Sequence, residues 1–366
     1  MPALRGLGPN WYAVIMGTAI IPGAGIGLPH QFPGALRVWQ LLTVLTFLEL
    51  VVLVVARGIH WYLHTGQARA DLLDPAVAPF YACVSLAFLA TGLVSYSVGH
   101  TFLPTGLAIG VSATLWVIGT VVGLVCSVGL TVLMIVKHQL STIGQSPACL
   151  LPPTGPMVSA AFAQPLLDHL PAGQNKALFV LTLYGMFGVN LVMTLVVLPL
   201  VVQRLLVHGP LPVQATPMLF IGIAPFGQGV NALGNLGDQA TKAGLPAPLD
   251  AGLQAMSIAA GVPIMGFALL WAAICVVMLV WAFRNGLGFS IAWWAMPFSS
   301  GTVVTGMSVI SRHTGVRALG WLATALYAIL CALFLCAWPR TVWGLARRTL
   351  PAATPPGPAA TYSPGT

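Results

Sequence analysis

Ten stretches of about 20 or more predominantly apolar residues follow one another through this chain, and no other feature limits its fold so severely. They run over 10–29, 34–57, 76–99, 104–137, 151–170, 175–207, 212–235, 250–283, 288–310 and 316–339. A helix needs roughly 20 apolar residues to cross the hydrocarbon core of a bilayer. In that medium every backbone N–H and C=O must find a partner within the protein, so helices are the default. Only 5% of the 366 residues are charged, and 58% are hydrophobic. A soluble domain carries about 25% charged residues. The chain therefore reads as an all-α integral membrane protein. Its net charge of +8 is scattered over loop ends. That pattern speaks for a lipid bilayer as partner and against nucleic acid.

The expected organisation is a short N-terminal segment (1–9), one ten-helix transmembrane domain (10–348) and a Pro/Ala/Thr-rich tail (349–366) of disordered composition. The first apolar segment holds Pro22, Gly23, Gly25 and Gly27 with no charged n-region before it, so no cleavable signal peptide is expected. The fourth, sixth and eighth segments exceed 30 residues without an evident turn signal. Each is expected to be one long helix that tilts or protrudes. With ten spans both termini share a side. That side collects nine Lys and Arg: Arg5, Arg57, Arg69, Lys137, Arg204, Arg284, Arg340, Arg347 and Arg348. The other side has five. The excess places both termini in the cytoplasm, with the domain in the cell (inner) membrane.

The segments are of two kinds. The odd ones carry Gly, Pro, Ser and Thr, as in Met16-Gly-Thr-Ala-Ile-Ile-Pro-Gly-Ala-Gly25 and Ile291-Ala-Trp-Trp-Ala-Met-Pro-Phe-Ser-Ser-Gly-Thr302. The even ones are smooth Leu/Val helices such as Leu191-Val-Met-Thr-Leu-Val-Val-Leu198. Odd segments begin 60 to 77 residues apart, a weak repeat of five helical hairpins. A helix opened by proline must be shielded from lipid. The helix-breaking candidates are Pro22, Pro153, Pro225 and Pro297. The five odd helices are thus expected inside, around a central pore, and the even ones outside; close packing through small residues is the competing reading.

Few residues could carry chemistry. Of six acidic residues only Glu49 falls in mid-membrane. A carboxyl group is costly to ionise there, so Glu49 is a candidate for proton coupling; a neutral, hydrogen-bonded Glu is the alternative. The eight histidines lie at segment ends or in loops. His60 and His64 share a helix face, but no H-E-x-x-H accompanies them, and no metal or cofactor is expected. No nucleophile elbow or nucleotide-binding loop occurs, so a membrane enzyme or sensor is disfavoured. A substrate on the inner path would meet hydroxyls, Gln228, Asn231 and the partly positive N-terminal ends of helices. Such a path suits weakly held anions.

Four motifs extend this reading: Trp11-Tyr-Ala-Val-Ile-Met-Gly-Thr18, Leu151-Pro-Pro-Thr-Gly-Pro-Met-Val-Ser-Ala160, Thr216-Pro-Met-Leu-Phe-Ile-Gly-Ile-Ala-Pro-Phe-Gly227 and Trp293-Trp-Ala-Met-Pro-Phe298. In these the chain resembles the tellurite-resistance/dicarboxylate transporter family, which includes malate permeases, sulfite exporters and plant slow-type anion channels. The resemblance covers all ten segments. It implies ten helices in five hairpins, a pore in each subunit of a homotrimer, and a phenylalanine of the ninth segment that blocks the pore. By motif match that gate is Phe298. Here proline precedes the phenylalanine instead of following it. The seventh segment reads Pro225-Phe226-Gly227 where the family often has Pro-Pro-Gly, which leaves Phe226 as a second occluding ring or a packing residue.

Together these expectations describe a narrow, largely uncharged pore for small inorganic or organic anions. Phe298, and Phe226 if it turns inward, would gate it. Thr18, Ser159, Ser299 and Thr302 would line it. The rival transport readings are a proton-coupled exporter of C4-dicarboxylate, sulfite or tellurite acting through Glu49, and a monomer of two inverted five-helix halves.

Overall fold

A computed structural model describes residues 7–138 and 142–347 of the chain. The 349–366 tail, most of the 1–9 segment, and Arg5 and Arg348 of the charge count lie outside the described residues. Among the described residues all regular structure is helical. The α-helices are α1 (Tyr12–Ile26), α2 (Ala35–Leu63), α3 (Thr65–Leu73), α4 (Ala82–Ser97), α5 (Thr105–Leu133), α6 (Thr154–Ala161) and α7 (Gln164–Leu167). They continue with α8 (Gln174–His208), α9 (Ala224–Ala240), α10 (Ala247–Ala259), α11 (Gly261–Arg284), α12 (Ala295–Thr314) and α13 (Arg317–Ala346).

Six stretches among the described residues are long and apolar enough to cross a membrane: Ala35–Leu63, Ala78–Thr101, Thr105–His138, Gln174–His208, Ala247–Arg284 and Arg317–Ala346. Over the 18 most apolar residues of each, five of the stretches are only 22–28% buried, while Ala78–Thr101 is 72% buried. The open faces of the five are aliphatic, with Leu41, Val128, Val277 and Leu335 all well exposed. An apolar surface of that extent is foreign to water but neutral against lipid tails.

The shorter helices are buried and touch one another in order. α1 packs on α4, α4 on α6, α6 on α9, α9 on α12, and α12 returns to α1, which closes a ring of five. Each ring helix also packs on a longer helix that follows it: α1 on α2, α4 on α5, α6 on α8, α9 on α11 and α12 on α13; α9 also packs on the shorter α10. Contact, not the hydrophobic effect, holds helices together in lipid, so small residues mark the tightest crossings. A Cβ on Gly227 of α9 would lie 2.7 Å from the carbonyl carbon of Thr302 in α12. One on Gly155 of α6 would lie 2.6 Å from Cα of Gly123 in α5.

Each ring helix is entered through a 3-10 turn: Pro9–Trp11, Ala78–Tyr81, Pro147–Leu150, Val213–Gly222 and Ile291–Trp294. This relocates the expected breaks. Pro153 is the residue before α6, Pro225 is the second residue of α9 and Pro297 the third of α12. The first N–H groups of a helix lack intrahelical partners, so proline there forfeits no hydrogen bond. These three prolines therefore start helices instead of breaking them. Of the four candidates only Pro22 lies beyond the first turn of a helix. The eighth apolar segment, expected to be continuous, is divided at Ala260 between α10 and α11. Pro263 has no N–H for the carbonyl of Ala259, and its ring crowds that carbonyl.

Candidate functional site

Two cavities open at opposite ends of the ring. The first, roughly 1100 Å³ including its open mouth, takes wall residues from the N-terminal part of every ring helix, among them Met16, Cys83, Thr154, Ala224 and Phe298. The second, roughly 700 Å³, takes them from the C-terminal parts, among them Ala24, Tyr96, Ala161, Asn231 and Arg312. The five helices thus run in parallel between the cavities. The intervening residues (17–22, 87–92, 155–160, 225–230 and 300–304) line neither cavity. From Ala224 to Asn231 this closed zone spans about 10 Å along α9, at 1.5 Å per residue.

The cavities differ in charge. The wall of the first holds no Asp, Glu, Lys, Arg or His. Instead it gathers the N-terminal ends of five helices, whose aligned peptide dipoles present partial positive charge. The second holds Asp168 and Arg312. Tyr96 Oη donates to Asp168 Oδ2 at 2.9 Å, and Gln239 Nε2 donates to Oδ1 at 2.6 Å. Arg312 and His313 meet Asp238 at 3.5 Å and 3.0 Å. Asn235 Nδ2 donates to Asn231 Oδ1 and to the carbonyl of Ala161, both at 3.2 Å.

Of the residues singled out from the sequence, Phe298 and Ser299 line the first cavity, where it meets the closed zone. Both are buried, Phe298 at 4% exposure. The other three hydroxyls line neither cavity and bond to carbonyls of their own helices. Thr18 donates to Val14, Ser159 to Gly155 and Thr302 to Ser299. Ser159 also accepts from Thr120 of α5, so it serves a helix crossing. Phe226 lines neither cavity; its ring packs on Phe267 of α11, with centroids 4.6 Å apart. Glu49 lies behind α1, where Trp338 Nε1 of α13 donates to its Oε1 at 3.3 Å, and it lines no cavity described above. Asn10 and Asn235 wall the cavities although no motif pointed to them. For Asn235 the signal was available: it follows Asn231 at i+4 on one helix face.

Residues 6–342 match the SLAC1 family, described as voltage-dependent anion channels. The uncharacterized transporter MJ0576 of Methanocaldococcus jannaschii is 23% identical over 323 residues, 88% of each chain. The sulfite efflux pump SSU1 of Trichophyton rubrum is 24% identical over 348 residues, 93% of this chain and 91% of that protein. SSU1 of Arthroderma benhamiae matches to the same extent. These matches span the ring, both cavities and the outer helices together. The chain is accordingly a multi-pass membrane transport protein for small anions and not an enzyme, and it belongs to the SLAC1 family of voltage-dependent anion channels, the tellurite-resistance/dicarboxylate transporter group that its motifs resemble.

Proposed function

We propose that small anions cross the membrane along the axis of the ring, through ten spans arranged as five hairpins, with Phe298 as the gate. The observation that carries this reading is the position of Phe298: a buried ring at the floor of the first cavity, where all five ring helices cease to line open space. Convergent helix N-termini draw an anion into the first cavity, and the lack of fixed charge there keeps it weakly held. The Lys and Arg excess supports cytoplasmic termini in an inner membrane, with the first cavity facing the cytoplasm. Among the described residues of that excess, Arg57 lies 5.6 Å over the Tyr81 ring and Arg340 5.5 Å over that of Trp293, both at the first-cavity end. Ser299 stays a wall residue in this reading. Thr18 and Thr302 bond within their own helices, Ser159 ties α6 to α5, and Phe226 is a packing residue. The sulfite efflux pumps among the relatives favour oxyanions among the possible substrates. The subunits are proposed to form a homotrimer with one path each.

The test is Phe298→Ala in purified protein reconstituted into liposomes. Anion flux is expected to rise. Unchanged flux with the variant inserted at wild-type level would remove the gate assignment. Light scattering of the detergent-solubilised protein decides the trimer separately.

A further inference from the structure

Gln228 lies in the closed zone of α9, and the gate reading gives it no part. Successive helix residues point about 100° apart. Ala224, Gln228, Asn231 and Asn235 recur at helical spacing on one face. Ala224 lines the first cavity, and Asn231 and Asn235 line the second. The other directions from this turn are filled. Phe226 packs on Phe267 of α11. Gly227 lies against Thr302 of α12, and Gly229 against Met157 of α6 and Phe187 of α8. Gln228 is left facing the axis. It is 1% exposed, and neither Nε2 nor Oε1 has a hydrogen-bond partner among the described residues. Across the zone Ile20 of α1 covers Gly301 of α12. An unpartnered primary amide among apolar neighbours is costly, and such a group calls for an explanation.

We infer that Gln228 coordinates the anion as it crosses the closed zone, and that its amide selects singly charged oxyanions bearing an O–H over halide. The inference rests on the axial path proposed above. The two N–H bonds of the amide replace lost hydration on a negative oxygen. The amide oxygen can only accept. Facing a halide or nitrate it meets negative charge unrelieved; facing the O–H of a hydrogensulfite-type anion it completes a second hydrogen bond.

The test uses the full-length protein in liposomes, with hydrogensulfite, nitrate and chloride as probes under anion gradients. Wild type and Phe298→Ala are each compared with and without Gln228→Met, which keeps the length of the side chain and removes its hydrogen bonds. The preference for hydrogensulfite over both other anions is expected to fall about tenfold with Gln228→Met in either background, the loss of the one hydrogen bond that only an anion bearing an O–H makes to the amide oxygen. Should Gln228→Met not assemble, Gln228→Leu carries the same comparison. An unchanged preference, or a fall for nitrate as large as that for hydrogensulfite, overturns the inference. A Phe298→Ala protein with no added flux would overturn the gate instead, and the wild-type ratios would still decide Gln228.

Discussion

The helices α9 and α11 pack against each other, yet they solve opposite problems. In α9 fifteen of 17 residues are buried, including Gln228, Asn231 and four glycines. In α11 only six of 24 are buried, and they fall along one stripe from Gly261 to Ala282. The less apolar helix is the one taken inside. Water reverses this order, because burial there removes apolar surface. In a bilayer an apolar face gains little by turning inward, while Gly and amide side chains need protein around them. The stretches long and apolar enough to cross a membrane accordingly include α11 and not the 17-residue α9.

This contrast can be broken at its tightest point first. Gly227→Val in α9 forces a side chain into the backbone of α12 and should lower stability by about 1–3 kcal/mol or prevent assembly. Gly129→Val in α5, where nothing lies within 4 Å of an added Cβ, should stay within about 0.5 kcal/mol. Thermal unfolding in detergent compares the two, and equal shifts would dissolve the distinction between ring and outer helices. Next comes Phe298→Ala, with a flux increase of about tenfold or more, equivalent to about 1.4 kcal/mol of barrier. The matching Phe226→Ala, which thins a contact with an outer helix, should cost stability and leave flux unchanged; a comparable leak from it would restore Phe226 as a second gate. Smaller still is Asp168→Asn. Removing a negative charge from the second cavity should raise anion entry about twofold at low salt, and the gain should vanish above physiological ionic strength as screening shortens to below about 8 Å. Glu49→Gln should change flux least, since Glu49 is held behind α1. A flux lost by that change, or a flux driven by a proton gradient only while Glu49 is present, would favour the coupled exporter.

The sequence disclosed the membrane class, the approximate extent of each apolar segment and the alternation of Gly/Pro-rich with smooth segments. It disclosed less about the elements themselves. A proline in the first turn of a helix and a proline in its middle look alike until the helix start is known, so Pro153, Pro225 and Pro297 read as breaks. Hydroxyls misled in a different way. In a dry helix Ser and Thr can bond back to the preceding turn, as Thr18 and Ser159 do, and nothing in their spacing gives the side they face. Phe226 and Phe298 both follow, or fall next to, a proline in ring segments. The packing of Phe226 on Phe267 and the place of Phe298 in the wall of the first cavity separate them. Gln228 was visible as a polar residue in an apolar segment, but its lack of a partner is a property of the folded ring.

The closed zone has an electrical consequence. The two cavities at opposite ends of the ring leave about 10 Å between them along α9. A membrane potential that would otherwise spread over about 30 Å of hydrocarbon is compressed into that gap on the proposed path. One elementary charge still exchanges about 2.3 kcal/mol per 100 mV, but over a third of the distance. Asp168 and Arg312 stand in the second cavity, outside the steep part of the field. Phe298 and Gln228 bound or occupy it. On the proposed path a permeating anion is itself the charge that moves through that field.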